Sequence, residues 1–123
     1  MRSERGQSSV ELALCLPILL LLIACAVDVA RVAFAQGRLW HAAREGARVA
    51  AVLHDPSTIQ ETVERAGIED AEVIVAPAPE FRVQGEPVTV VVRTDADATV
   101  PLMRPVLERI ELQARATFRI EQP

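Results

Sequence analysis

Residues 12–27 read LALCLPILLLLIACAV, sixteen consecutive uncharged residues in a chain of 123. At about 1.5 Å per helical residue this run spans roughly 24 Å, close to the roughly 30 Å hydrocarbon core of a bilayer. It extends through Asp28, Val29, Ala30 and Arg31 to Ala35. Asp28 and Arg31 stand three apart, so they can pair on one helix face and mark the end of the span. Half of the chain is hydrophobic (50%), but most of its long apolar side chains fall between residues 10 and 35. The pattern is that of a membrane segment joined to a small soluble part, and the length leaves room for one folded unit.

Toward the N-terminus lies MRSERG, residues 1–6, with Arg2 and Arg5. The positive-inside tendency holds such a leader in the cytoplasm and sends the soluble part to the other side. A secretory signal has an apolar stretch of about 7 to 15 residues and then a cleavage site of small residues. Here the stretch is longer, and Glu11 stands at its start. A carboxylate at the edge of a bilayer core is costly unless paired, so Glu11 is a functional candidate. A competing signal is Leu22-Ile23-Ala24-Cys25, which fits the loose lipobox pattern of bacterial lipoproteins. The residues after Cys25 stay apolar instead of forming a polar tether, and Pro17 and Glu11 suit that pattern poorly. Cys15 and Cys25 are ten apart, about 15 Å along one helix, too far to bridge each other.

Toward the C-terminus, Val29 to Leu53 contains no proline, and Phe34, Leu39, Trp40, Ala43, Ala47, Ala50 and Ala51 form an apolar stripe of helical spacing. One helix from Gln7 to Leu53 is expected, about 70 Å long, half in the membrane and half projecting. Pro17 removes a backbone hydrogen bond and should kink or loosen the membrane half. Trp40 is expected in the core under a sheet, Glu45 can pair with Arg48, and Gly46 allows close approach of another element. Asp55-Pro56-Ser57-Thr58 caps a short second helix that Gly67 ends. Strands are expected over Ala71–Ala76, Phe81–Val83 and Val88–Thr94. A last strand runs over residues 110–121, where apolar and polar residues alternate. Residues 95–105 connect them, with Val100, Leu102 and Met103 covering the sheet end.

The fold class is therefore α+β: a long N-terminal helix packed by a small antiparallel sheet of three or four strands. It divides into a leader at 1–6, a membrane helix at 7–35, its continuation at 36–54 and a small α+β domain at 55–123. Seventeen Asp and Glu against thirteen Arg give a net charge of −4, with no basic stripe carrying aromatics, so nucleic acid is not an expected partner. No Ser-His-Asp grouping, phosphate loop or cofactor motif occurs, which argues against an enzyme or a cofactor. His41 and His54 have no third ligand at zinc spacing, and Asp95-Ala96-Asp97 lacks the continuation of a calcium loop and reads as a turn, so no metal is assigned.

Gly6-Gln7-Ser8-Ser9-Val10-Glu11 before an apolar helix is the pattern read by prepilin peptidases, which cut after the glycine on the cytoplasmic side. With Leu16-Pro17 inside the apolar run and Ala43-Arg44-Glu45-Gly46-Ala47-Arg48 after it, residues 5–51 resemble the TadE-like family of pilin-like proteins from Tad pilus systems. The resemblance implies that Gly6 is the cleavage-site glycine, Gln7 the first mature residue and Glu11 the acidic residue that sets register between subunits. It implies a non-enzymatic minor pilin or pseudopilin in the cytoplasmic membrane or within the pilus, with its N-terminus cytoplasmic and its C-terminal domain outside. Its partners would be a prepilin peptidase, other pilin or pseudopilin subunits, the Tad assembly platform and the membrane. The alternative is a membrane-anchored or lipidated envelope protein whose sheet domain binds an extracytoplasmic partner.

Overall fold

The computed structural model describes residues 2–53, 55–68, 70–96, 101 and 103–121. It begins with one continuous helix, α1 (Arg2–Val52), that passes through Pro17 without ending. A short helix α2 (Pro56–Arg65) follows, and then the strands β1 (Glu72–Ala76), β2 (Pro87–Asp95) and β3 (Glu111–Arg119), with a one-turn helix α3 (Arg104–Leu107) between the last two. The strands form an antiparallel meander in the order β1-β2-β3. Pro87 pairs with Arg119 at one end of the β2–β3 ladder and Asp95 with Glu111 at the other. This is the α+β arrangement expected from the sequence, with three strands.

The long helix carries the sheet because one side of its second half is almost free of bulk. Leu39, Ala42, Ala43, Ala47, Ala50 and Ala51 are buried, and Gly46 lies among them. Their spacing of three and four residues makes one continuous face. Against it pack Val88, Val90 and Val92 of β2, Leu112 and Ala114 of β3, and Ile59 and Val63 of α2. Gly46 is where three elements meet, since a Cβ there would stand 3.3 Å from Val63 Cγ2, 3.4 Å from Val90 Cγ1 and 3.7 Å from Ile59 Cγ2. The expected close approach at Gly46 is thus present. The outer face of the sheet is polar apart from Ile74 and Val91, with Thr89 and Thr117 hydroxyls 2.9 Å apart across β2 and β3.

Two contacts set the direction of the sheet along the helix. Gln36 Nε2 donates to the Gln113 carbonyl at 2.8 Å, and the Glu121 N–H donates to the Ala51 carbonyl at 3.0 Å. β3 therefore runs parallel to α1, and its Glu111 end, with the Asp95 end of β2, lies toward the apolar half of the helix. Asp28 is only 1% exposed although Val27 and Val29 on either side are open. The buried stripe of α1 thus begins at Asp28 and climbs through Val32 and Ala35 to Leu39.

Several expectations are corrected. Phe81–Val83 is not a strand: Pro79–Phe81 is a 3-10 turn, and Arg82 leaves it to point inward. Its Nε donates to the Pro77 carbonyl at 3.1 Å, and its Nη1 lies 3.5 Å from the Ala50 carbonyl and 3.4 Å from that of Leu53. The guanidinium thereby meets the unsatisfied carbonyls and negative dipole end of α1. Burial lowers its pKa from the ordinary arginine value. Trp40 is exposed rather than core, because the sheet sits so close to the alanine face that a large ring fits only at its flank. Phe34 is also open, and Phe118 and Phe81 complete a set in which every aromatic residue is on the surface. Glu45 and Arg48 form no ion pair among the described residues. Asp95 ends β2 rather than making a turn. Met103 does pack against the core, whereas Val100, Leu102, Asp97 and His54 lie outside the described residues.

α2 follows its sequence signals closely. Asp55 caps it, accepting from the Ser57 N–H at 3.1 Å, from Ser57 Oγ at 2.8 Å and from Thr58 Oγ1 at 3.1 Å. Pro56 takes the first helical position, and Gly67, at φ +88°, turns the chain away after the last turn.

Two predictions come from this packing. Gly46→Val should force its branches into Val63 and Val90 and destabilise the full chain in detergent by about 2 kcal/mol in urea unfolding. A second concerns acid. The hydrogen bonds from Ser57 and Thr58 hold the Asp55 carboxyl below its ordinary 3.8. A carboxylate so lowered stabilises the fold above its unfolded pKa, and that contribution is lost as the pH falls through its folded value. The melting temperature of the native chain should thus exceed that of Asp55→Asn above about pH 5, with the difference shrinking as the pH drops below that ordinary value.

Candidate functional site

The functional candidate is the first half of α1, and its chemistry starts from exposure. Every Val, Leu and Ile from Val10 to Ile23 is more than two-fifths exposed, and they surround the helix instead of lining one side. Such a surface is unfavourable in water by about 25 cal/mol per Å² of apolar area. It is stable only in lipid or against other apolar helices. This helix is long and apolar enough to cross a membrane, and its most apolar window has no part buried within the chain. From Val10 to Val27 it measures about 27 Å, so the exposed run and a bilayer core agree in length.

At the beginning of this run stand the residues singled out in the sequence. Gly6, Gln7 and Glu11 are all exposed and all within α1. Gln7 and Glu11, four apart, lie one turn from each other on one face. Beyond its chain neighbours and the backbone of its own helical turns, no described atom lies within 4 Å of the place a Gly6 Cβ would occupy. A glycine inside a helix costs roughly 1 kcal/mol relative to alanine, and no packing within the chain requires it here. Ser8 Oγ donates to the Glu4 carbonyl at 3.1 Å and Ser9 Oγ to the Arg5 carbonyl at 3.0 Å. These bonds turn both hydroxyls back onto the helix and leave the apolar run that follows free of competing donors.

Pro17 sits in the middle of the run. Lacking an N–H, it leaves the Ala13 carbonyl without its usual helical donor, a polar group that a bilayer does not satisfy. Cys15 is exposed and Cys25 half-buried, both free thiols on the same helix. Among the described residues there is no group of three or more His, Cys, Asp or Glu arranged to hold a metal.

Sequence reasoning passed over two residues that hold the head to this helix, Gln36 and Arg82. Neither belongs to a motif: each is one polar side chain whose partners are carbonyls far away in sequence, Gln113 for the first and Ala50 and Leu53 for the second. The sites at the base of the helix and those that fasten the sheet are thus separate. Among the described residues, Gly6, Gln7 and Glu11 touch nothing in the head, and the head leaves residues 10–23 open on all sides.

Comparison with known proteins bears on the helix alone. No curated protein and no solved structure matches the chain. A family model described as TadE-like protein matches residues 6–48 of the 123. The matched stretch begins at the glycine ahead of Glu11, takes in the whole exposed run and ends within the alanine face, four residues before α1 does. Over residues 6–48, then, the chain is similar to TadE-like proteins, a similarity that points to an association with Tad pili.

Proposed function

We propose that this chain is a minor pilin or pseudopilin of a Tad-type pilus, cut after Gly6 by a prepilin peptidase. The observation that carries the reading is an apolar helix exposed all round from Val10 to Ile23, opening on Gly6 and Glu11 and bearing a folded head on its other half. In this reading α1 crosses the cytoplasmic membrane once. The N-terminus is cytoplasmic, following Arg2 and Arg5, and the head is outside.

Cleavage of the Gly6–Gln7 bond gives Gln7 a new α-ammonium, positively charged at neutral pH. It lies one turn from Glu11, so the two can neutralise each other at the edge of the membrane, where an unpaired charge is costly. When the ammonium of one subunit meets Glu11 of the next, the same pairing sets the register of packed helices. An ion pair in low dielectric is strongly penalised when it is broken by a shift of one turn. The apolar run supplies the contact area between subunits, and the assembly platform would receive the subunit through the same helix. The chain acts as a structural part and not as an enzyme.

The test separates cutting from assembly. Gly6→Val, whose branched side chain blocks approach to the bond, should leave the leader on, read as the uncut mass of the protein isolated from its own cells. Glu11→Gln should be cut as usual but lose at least about tenfold in its co-purification with other pilus subunits, the size expected when one partner of a poorly solvated ion pair is removed. A Gly6→Val chain of fully mature mass, or a mature chain beginning at a lipidated Cys25, would overturn this reading.

A further inference from the structure

Between residues 29 and 52 the side of α1 turned away from the sheet is covered by no described part of the chain. It presents Phe34, Arg38, His41, Arg44 and Arg48, all exposed, Phe34 at 76%. Among the described residues, Arg38, Arg44 and Arg48 make no hydrogen bond or ion pair. Arg44 and Arg48 are one turn apart, where like charges weaken a helix. Charge is also divided unevenly along the sequence. Residues 29–52 hold four Arg and one Glu, net +3, while residues 53–123 hold seven Arg against thirteen Asp and Glu, net −6.

Lipid headgroups are poorly placed to answer this charge. Arg38, Arg44 and Arg48 follow Val27 by 11, 17 and 21 residues. Along a helix that crosses the membrane they stand about 16, 26 and 32 Å beyond it, whereas the headgroup layer is only about 5 to 8 Å deep. A partner held at that height by the membrane is another chain that rises from it.

We propose that this face of α1 docks the acidic head of a second copy of this chain. The inference rests on the reading that copies stand side by side in one membrane, which holds their heads at similar heights. Opposite potentials then face each other, with Phe34 as the exposed apolar anchor beside Arg38. Because the basic face of one copy meets a different surface of the next, the contact is heterologous: each copy that joins leaves a fresh basic face exposed. Such a contact propagates, as a filament requires.

The experiment uses the full chain, with Gly6 and Glu11 intact, in vesicles of neutral phosphatidylcholine, reading self-association by energy transfer between two labelled populations. Transfer should fall as salt rises from about 50 mM to about 500 mM. The triple variant Arg38→Glu, Arg44→Glu, Arg48→Glu should associate with itself at least about tenfold more weakly while keeping its melting temperature, since all three side chains are exposed. Mixed with the native chain, the same variant should still be captured, because its acidic head is unchanged. Association of the triple variant within about twofold of the native chain would overturn the proposal. So would transfer insensitive to salt, absence of transfer in the native chain, or a defect seen only as lost binding to phosphatidylglycerol vesicles. The pilin reading fails on a different measurement, maturation of Gly6→Val, so the two failures are distinguishable.

Discussion

The structure depends on one close contact, the approach of β2 and α2 to α1 at Gly46. With Val63 and Val90 within 3.4 Å of where a Cβ would sit, nothing larger than the glycine and its neighbouring alanines allows the head to lie so near the helix axis. A head of about 70 residues has too little interior to be stable alone, and burying the helix supplies what it lacks. The second half of α1 is therefore as much a part of the core as any strand. The aliphatic content of that core follows from the same contact, since an interface this thin takes Val, Ile, Leu and Ala and leaves the four aromatics on the surface.

The consequence is a rigid link between two environments. The helix that is buried at Leu39 is the one that is bare at Leu20, and it is continuous between them. Asp28 marks the changeover as a buried carboxyl group where one side of α1 first becomes buried. Gln36 at the lower end of β3 and Arg82 at the end of α1 fasten the sheet at two heights through backbone carbonyls. A movement of the apolar half would thus be carried into the head without a break in the helix between Leu20 and Leu39, as the proposed role in a packed assembly would require.

Much of this was legible in the sequence, wherever the deciding interaction was local. The cap at Asp55-Pro56 and the stop at Gly67 define α2 by themselves, the valine run marks the buried centre of β2, and alternation marks β3. Reading failed where a distant partner decided. Phe81 to Val83 looks extended between prolines, but Arg82 is drawn to carbonyls about 30 residues earlier in the chain, which bends the segment out of the sheet. Trp40 looks like core because it lies several turns past Asp28, yet only the thickness of the interface, a tertiary quantity, decides that Leu39 and not Trp40 is inside. Gly6 and Glu11 stand out in the sequence by their spacing alone, because no contact among the described residues uses them.

The division of α1 into two halves with different support is most directly measured by hydrogen exchange on the full chain in a lipid nanodisc as urea is raised. Residues 39–51 should lose protection together with β2 and β3, as one cooperative unit, while residues 12–27 stay protected by lipid. Protection of 39–51 that persists after the sheet has opened, or loss of protection in 12–27 in step with the sheet, would contradict a helix held in this way.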